Sequence, residues 1–434
     1  MKTRFIQLLI IAISFLPLSL LGQDIDDGSL KPYKGLFALT NATIHTVTNG
    51  VIQNGTVIIN DGVIQNLGAN ITVPAGAEVI DCTGKLIYPG MIDGGTRLGI
   101  IEVNSVPETQ DHQEIGNVKP HVKALTAVNP NSVAIPVTRV SGVTTVLTMP
   151  AGGLIPGTAA LINLVGYTPN QMHTGFSGVL MNFPSASRRG FRDRRSDADV
   201  KKDAEKAQKE INEMFERAAL YRVNEEAGTA RFYPEMKALA EVVAGEVALI
   251  IEVNGAADIE AAIEWVKDQK IAKPILSGVS EGWRVADKIA ESGIPVITGP
   301  VIGMPSRQSD RYDRAYANAG VMSNAGVKVA IRTMDTENVR NLPYNAGFAV
   351  AYGMTKEDAL KAVTINPAEI FGVSDKLGSI EEGKSATLFI IDGDPFETNS
   401  HISHVFIDGY NIPMISRHTR LYNEFLERNP GVQK

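Results

Sequence analysis

The stretch YPGMIDGGTR, residues Tyr88–Arg97, stands where the pattern of the chain changes. Residues 36–87 before it consist of short apolar runs separated by turn residues. After it, apolar runs of about five residues, the length of a β-strand, alternate with segments of helical period. The change predicts one structural unit at residues 23–87 and a second, larger unit at residues 88–376.

The two ends of the chain predict strands of one small domain. Residues 56–68 carry two apolar runs around an Asn-Asp-Gly turn, a pattern typical of a β-hairpin. The chain from residue 377 onward combines apolar runs and glycine turns in the same way. Because these β-rich ends flank one long middle, we expect residues 23–87 and 377–434 to form a composite β-sandwich.

The middle of the chain predicts an α/β barrel. Apolar runs of strand length occur at residues 143–148, 247–253, 274–277, 295–298 and 327–331. Between them lie helical stripes such as that of Ile259, Ile263 and Val266. Continuous apolar strands alternating with helices are typical of a parallel sheet buried on both faces. For a unit of this length, we predict closure into a (β/α)8 TIM-type barrel.

Composition is typical of an ordinary globular protein. The 434 residues are 44% hydrophobic and 21% charged, which is enough for a large core. A net charge of −7 provides no basic field for nucleic acid. Cys82 is the only cysteine, so an intramolecular disulfide is excluded and we expect a buried thiol.

The first residues predict export. Lys2 and Arg4 precede an apolar run at residues 5–21, and Gly22 leads into a polar segment. A membrane anchor is the alternative, but the run is short for a span of about 20 residues. We predict a signal peptide at residues 1–22, a periplasmic or extracellular protein, and no transmembrane span after cleavage.

Residues 197–222 predict an amphipathic helix packed on the barrel, because its apolar residues recur three or four positions apart. A basic cluster precedes this helix and consists of Arg188, Arg189, Arg192, Arg194 and Arg195. The cluster is interpreted as a solvated loop, with an anion-binding surface as the alternative.

Several segments, in this order and spacing, resemble the imidazolonepropionase-like branch of the amidohydrolase superfamily over residues 36–412. Besides the opening hairpin they are PGMID (89–93), SGVTTVLTMP (141–150), EVNGAADI (252–259), SEGWRVAD (280–287), ALKAVTINPAEIFG (359–372) and GSIEEGKSATL (378–388). The resemblance implies a distorted (β/α)8 barrel with a small β-sandwich built from both chain ends. It also implies hydrolysis of non-peptide or cyclic C–N bonds by water bound to one or two divalent metal ions, often zinc.

The resemblance also shows where the chain departs from the family. The family motif reads Pro-Gly-x-Ile-Asp-x-His-x-His, and Gly95 and Arg97 replace its two histidines. The positions that the resemblance assigns to the metal site are Gly95, Arg97, Glu252, Gly278 and Met334. Glycine has no ligand atom, and arginine stays protonated and repels a cation. We therefore predict a degenerate site with no metal or other cofactor, and an Arg97–Glu252 salt bridge in its place.

Other polar residues are candidates for the same pocket. Asp335 lies one residue beyond Met334 and is a catalytic candidate if the loop shifts by one position. The pocket candidates are Asp93, Glu102 and His112. The loop after the first barrel strand carries Asp111, His112, Glu114 and His121, interpreted as an exposed polar loop or as a ligand cluster. A carboxylate site for Mg or Ca would draw on Asp93, Glu102, Glu252 and Asp335.

These patterns predict an exported amidohydrolase-like pseudoenzyme. It would bind a small amide- or peptide-like ligand, form homo-oligomers, or pair with an active relative. The alternative is an active C–N hydrolase with a carboxylate-based site or a metal-free mechanism centred on Asp335. A third hypothesis is a surface protein that binds a sugar or peptide.

Overall fold

The structure, a computed structural model, describes residues 32–187 and 194–428. The predicted signal peptide and Arg188, Arg189 and Arg192 of the basic cluster lie outside the described residues.

The described residues form strands, α-helices and short 3₁₀ turns. The strands are β1 Phe37–His45, β2 Val51–Asn60, β3 Val63–Gly68, β4 Glu78–Asp81, β5 Leu86–Pro89, β6 Met91–Thr96, β7 Val143–Thr148, β8 Gly157–Asn163, β9 His173–Asn182, β10 Ala248–Val253, β11 Pro274–Gly278, β12 Val296–Thr298, β13 Val329–Ile331, β14 Leu388–Ile391, β15 Ile402–Ile407 and β16 Tyr410–Ile412. The α-helices are α1 Ala134–Arg139, α2 Pro169–Met172, α3 Asp197–Glu226, α4 Pro234–Val243, α5 Ala256–Gln269, α6 Ala286–Ser292, α7 Arg314–Asn324, α8 Leu342–Ala351, α9 Lys356–Ala362, α10 Ile365–Ile370 and α11 Arg417–Arg428. Short 3₁₀ turns lie at Pro107–Thr109, Ala124–Ala127, Gly282–Arg284 and Val339–Asn341.

The two ends of the chain form one sheet, in the order β16-β15-β14-β5-β1-β2-β3, with β4 also paired to β1. The predicted hairpin joins β2 to β3 through Asp61 and Gly62, both of which have positive φ (48° and 89°). This combination suits a two-residue hairpin turn. Apolar side chains from both ends, among them Phe37, Ile59 and Phe406, are fully buried in one shared core.

The middle of the chain forms an eight-stranded sheet in the order β13-β12-β11-β10-β9-β8-β7-β6. Its ends approach each other where the Met334 N–H donates to the Gly95 carbonyl at 2.9 Å. The predicted fold class, a distorted barrel with a separate sheet domain, is confirmed. The distortion lies at β8, which runs antiparallel to both β7 and β9, whereas the other pairs in the sheet are parallel.

Helices pack on the outside of this sheet. The predicted helix at residues 197–222 is present as α3, and the Ser196 hydroxyl caps it by accepting from the Asp199 N–H at 3.1 Å. Its buried stripe includes Phe215, whose ring meets the Trp265 ring of α5 edge-on at 5.1 Å. The helix therefore packs on the barrel, as expected.

Two smaller observations bear on the sequence predictions. Cys82 is buried, and burial raises the pKa of its thiol to about 11, so it is protonated at neutral pH. Within residues 32–187 and 194–428, no helix has both the length and the apolar character needed to cross a membrane.

Candidate active site at the barrel mouth

The carboxyl ends of β6, β10, β11 and β13 bring the predicted metal-site positions together. Gly95 lies in β6, and Arg97 is the first residue after β6. Glu252 is the penultimate residue of β10, and Gly278 is the last residue of β11. Met334 follows β13 by three residues. Parallel strands place their carboxyl ends at one edge, which is where barrel enzymes have their sites.

An ion pair between Arg332 and Glu252 occupies the centre of this ring. The two guanidinium nitrogens Nη1 and Nη2 of Arg332 each donate to one carboxylate oxygen of Glu252, both at 2.7 Å. Nη1 also donates to the Ser277 hydroxyl at 2.7 Å, and Nε to the Gly299 carbonyl at 3.2 Å. Burial alone would raise the pKa of Glu252, but the charge and hydrogen bonds of Arg332 outweigh it and lower that pKa. Both groups of this bidentate pair are therefore charged.

The glycines beside this pair have no room for a side chain. A Cβ at Gly95 would lie 2.6 Å from the Met149 sulfur and 3.1 Å from Cδ of Arg332. A Cβ at Gly278, whose φ is +86°, would lie 2.7 Å from Oε1 of Glu252. A side chain at either position would require Met149, Arg332 or Glu252 to move.

The expected Arg97–Glu252 salt bridge is wrong, because Arg332 takes both oxygens of Glu252. Arg97 is half-buried, and its Nε is buried without a hydrogen-bond partner. Its backbone N–H donates to the Asp335 carbonyl at 3.2 Å, which fixes the chain after β6 against the loop after β13. Burial, followed by the charge of Arg332, lowers the pKa of Arg97.

Asp335 turns its carboxylate towards its own loop. Oδ1 accepts from three successive backbone N–H groups, those of Thr336, Glu337 and Asn338, at 2.7, 3.0 and 3.1 Å. Partial burial opposes ionisation, but these hydrogen bonds dominate and lower the pKa of Asp335. The carboxylate therefore caps the turn that leads into Val339–Asn341. Met334 has φ +50° and packs its side chain against an apolar cluster of the barrel.

Asp93 is fully buried and joins β6 to the end of β13. It accepts from the Gly95 N–H at 2.9 Å and from the Thr333 hydroxyl at 2.6 Å. Burial raises the pKa of Asp93 to about 7 against the opposing effect of these hydrogen bonds. Its oxygens hold the backbone together, which is a structural role in this fold.

The remaining polar candidates have different surroundings. Glu102 accepts from the Asn129 side chain at 3.0 Å. The Nδ1 atoms of His112 and His121 are buried without a hydrogen-bond partner. Among the residues that the structure describes, no three His, Cys, Asp or Glu side chains converge closely enough to hold a metal ion.

Two adjacent cavities lie beside the ion pair. The smaller, of about 310 Å³, is lined by Glu252, Asn254, Ser280, Trp283 and Arg332 among others. The larger, of about 1250 Å³, shares Glu252, Asn254 and Ser280 and extends to Asn182 and Arg307. Their polar linings can bind a small ligand with several hydrogen-bonding groups.

Sequence reasoning missed Arg332, which is 4% exposed and belongs to the segment Val329–Thr333. The available signal was a charged residue placed directly after a continuous apolar strand. Its partner Glu252 lies 80 residues earlier in the chain, so no local pattern could pair them.

Comparison with known proteins supports the architecture. A model of the amidohydrolase family matches residues 134–412. The imidazolonepropionase of Mesorhizobium japonicum is 25% identical over 441 aligned positions, which cover 84% of this chain and 94% of the relative. The imidazolonepropionase of Thermoplasma volcanium is 40% identical over 91 residues, but the match spans only 22% of its length and 19% of this chain.

Solved structures share the fold. An amidohydrolase of Thermotoga maritima aligns with a TM-score of 0.75 at 24% identity, covering 86% of this chain and 99% of that one. Molinate hydrolase aligns with a TM-score of 0.56 at 19% identity, covering 88% and 96%.

Proposed function

The chain belongs to the amidohydrolase family, and we propose that it binds a small polar ligand at the barrel mouth without the family's metal-dependent hydrolysis of C–N bonds. The observation that supports this proposal is the Arg332–Glu252 ion pair, held by two bonds of 2.7 Å between Gly95 and Gly278. The pair fills the space that the ligand positions of the family surround.

The residues present do not fit a divalent cation. Two glycines supply no ligand atom, and two arginines place positive charge where a cation would sit. The one carboxylate at the centre, that of Glu252, already has both oxygens bound by Arg332. A metal ion could bind the Glu252 carboxylate only by displacing the bidentate, charge-assisted hydrogen bonds from Arg332.

The cavities favour a ligand that resembles an amide or a peptide. Asn182, Asn254 and Ser280 offer both donors and acceptors, and the last two line both cavities. A hydrogen-bonding ligand would find partners there without any group that activates water. The protein would then bind such a ligand without hydrolysing it.

We propose in addition that the protein is exported after cleavage near Gly22, and that it acts as a homo-oligomer or pairs with an active relative. Both proposals rest on the sequence. Sequencing of the first residues of the secreted protein would test the first, and light scattering of the purified protein would test the second.

Metal content is the direct test of the pseudoenzyme proposal. The purified protein and an active imidazolonepropionase as positive control would be dialysed together against trace zinc, manganese and magnesium. Elemental mass spectrometry should then find less than about a tenth of a metal per chain here and near full occupancy in the control. Occupancy near one metal per chain, with hydrolysis of an amide or lactam, would overturn the proposal and support an active hydrolase.

A further inference from the structure

A further cavity, of about 640 Å³, lies between the sheet domain and the barrel. The sheet contributes His45, Val51 and Tyr88 to its lining, and the barrel helices α9 and α10 contribute Leu360 and Ile365. It shares no lining residue with the two cavities beside the Arg332–Glu252 pair. Small ligands bind preferentially in clefts between domains, and this volume is within the usual range for such sites. We call it the interdomain cavity.

Three stacked aromatic rings cross the sheet and end at this cavity. Phe389, Tyr88 and His45 lie on the neighbouring strands β14, β5 and β1. The ring centroids of Phe389 and Tyr88 are 5.8 Å apart with an interplanar angle of 21°, and those of Tyr88 and His45 are 4.3 Å apart at 12°. The residue paired with His45 on the next strand is Val51, which is 49% exposed and lines the cavity. Since no further ring contacts His45 among the described residues, a planar molecule lying over Val51 would extend the stack.

Tyr88 has a buried hydroxyl without a partner. Its side chain lines the cavity although the residue is only 3% exposed, and no hydrogen bond of its hydroxyl is present within residues 32–187 and 194–428. Burial, followed by the charge of Asp394, raises the pKa of Tyr88 to about 12, so the hydroxyl keeps its proton at neutral pH. Leaving a buried donor unsatisfied costs free energy. A ligand oxygen or nitrogen in the cavity would supply the missing acceptor.

The charges of the lining favour a neutral ligand. Each charged side chain of the lining has a counter-charge, in the pairs Lys356–Asp394 at 2.5 Å, Lys361–Glu357 at 2.6 Å and Glu369–Lys328 at 2.6 Å. Burial, followed by the charge of Lys356, lowers the pKa of His45, so its imidazole is neutral at pH 7. A charged ligand would lose its hydration without gaining an opposite charge of its own.

The loop between β1 and β2 borders the cavity in a strained conformation. Val47 lines the cavity with φ +76°, which a β-branched residue rarely adopts. The buried Thr46 fixes this loop, because its hydroxyl donates to the Gly50 carbonyl at 2.7 Å and accepts from the Asn49 N–H at 2.8 Å. Backbone strain that the surroundings hold in place clusters at ligand sites. The position of Val47 agrees with a binding site here.

We propose that the interdomain cavity binds a neutral, planar aromatic molecule that stacks on His45 and accepts a hydrogen bond from the Tyr88 hydroxyl. The aliphatic side chains of Val51, Leu360 and Ile365 contact the rest of the ligand. The site uses no residue of the barrel mouth and goes beyond the proposed function, so either proposal can fail without the other.

Matched ligands test the planar and neutral character of the site. Acetophenone, its saturated analogue cyclohexyl methyl ketone and its charged analogue benzoate would each be titrated into the full chain, up to about 10 mM, by isothermal titration calorimetry. We expect acetophenone to bind at least about fivefold more tightly than either analogue, because only it is both planar and uncharged. Equal binding of the saturated ketone, equal or tighter binding of benzoate, or no binding of acetophenone would overturn the inference.

Matched variants test the two residues. H45A should weaken acetophenone binding by at least about fivefold, whereas H45F keeps a ring in the stack and should bind within about twofold of wild type. Y88F keeps the ring but removes the hydroxyl, and should weaken binding by about two- to tenfold through the lost hydrogen bond. Thermal melting of each variant would show that it is folded before its binding is interpreted.

H404A is the control variant. His404 is also half-buried in the same sheet, but it lies in β15 and does not line the interdomain cavity. Unchanged binding in H45A or Y88F, or an equal loss in H404A, would contradict the assignment. Metal occupancy, which tests the proposed function, is measured separately, and neither result determines the other.

Discussion

Two arginines at the barrel mouth have opposite surroundings. Arg332, after β13, is 4% exposed and donates to Glu252, Ser277 and Gly299. Arg97, after β6, is half-buried and has no acceptor for its Nε. The guanidinium of Arg332 donates four hydrogen bonds within the fold, whereas none is present for the guanidinium of Arg97 among the described residues.

The difference determines how much the free energy of unfolding should depend on each arginine. Burying an ion pair costs the desolvation free energy of both ions. Removal of one partner leaves the other charge uncompensated in a low-dielectric interior. Removal of Arg97 leaves no ion-pair partner uncompensated among the described residues. We therefore expect the stability of the fold to depend on Arg332 more than on Arg97.

The largest effect is expected from Arg332→Ala. It leaves the carboxylate of Glu252 buried and unpaired, which should lower the free energy of unfolding by about 3–5 kcal/mol. Urea denaturation followed by circular dichroism would measure it. The double variant Arg332→Met with Glu252→Leu is the control and should lose less, because it removes both charges. A single variant as stable as wild type would show that the pair contributes nothing.

Asp335→Ala should cause the second largest loss in the free energy of unfolding. Its carboxylate caps three backbone N–H groups, and loss of a cap costs about 1–2 kcal/mol. Asp335→Asn should lose less, because the amide oxygen still accepts. Equal losses in the two variants would show that the negative charge, and not the accepting oxygen, stabilises this turn.

In the sheet domain, Glu381 forms an ion pair with Lys384 at 3.0 Å, which serves as a comparison for the buried Arg332–Glu252 pair. Hydrogen bonds from Ser379 and Thr48 lower the pKa of Glu381 from its ordinary 4.5 to about 2. A lowered carboxylate pKa stabilises the fold above pH 4.5, and this contribution is lost as the pH falls towards 2. E381Q should therefore cost about 1 kcal/mol at pH 7, after allowance for solvent screening, and almost nothing at pH 2. Melting curves at both pH values would check it, and a constant difference would contradict the assignment.

Local pattern was sufficient for much of the fold. The apolar run at 143–148 is β7, the run at 247–253 contains β10, and the helix predicted at 197–222 is α3 with four further residues. These elements are specified by apolar period and by caps such as Ser196, which are properties of neighbouring residues.

The direction of each strand and the long-range pairing of side chains could not be predicted from local pattern. The reversed strand β8 has an apolar sequence like those of the parallel strands of the sheet, so its pattern carries no signal for direction. The substituted positions at Gly95 and Gly278 were found from the resemblance, but the residue that fills the space between them was not. Arg332 meets Glu252 only once the barrel closes, and closure is a property of the whole sheet.

The smallest effects are expected at Arg97 itself. R97Q should change the free energy of unfolding by less than about 1 kcal/mol, because no protein acceptor loses a bond. R97H should leave zinc content unchanged, since Gly95 and Gly278 still offer no ligand and Arg332 still holds both oxygens of Glu252. Elemental mass spectrometry and urea denaturation of R97Q and R97H test both expectations. Tight zinc uptake by R97H would mean that the Arg332–Glu252 pair opens readily, and the contrast between the two arginines would then fail at its stronger member.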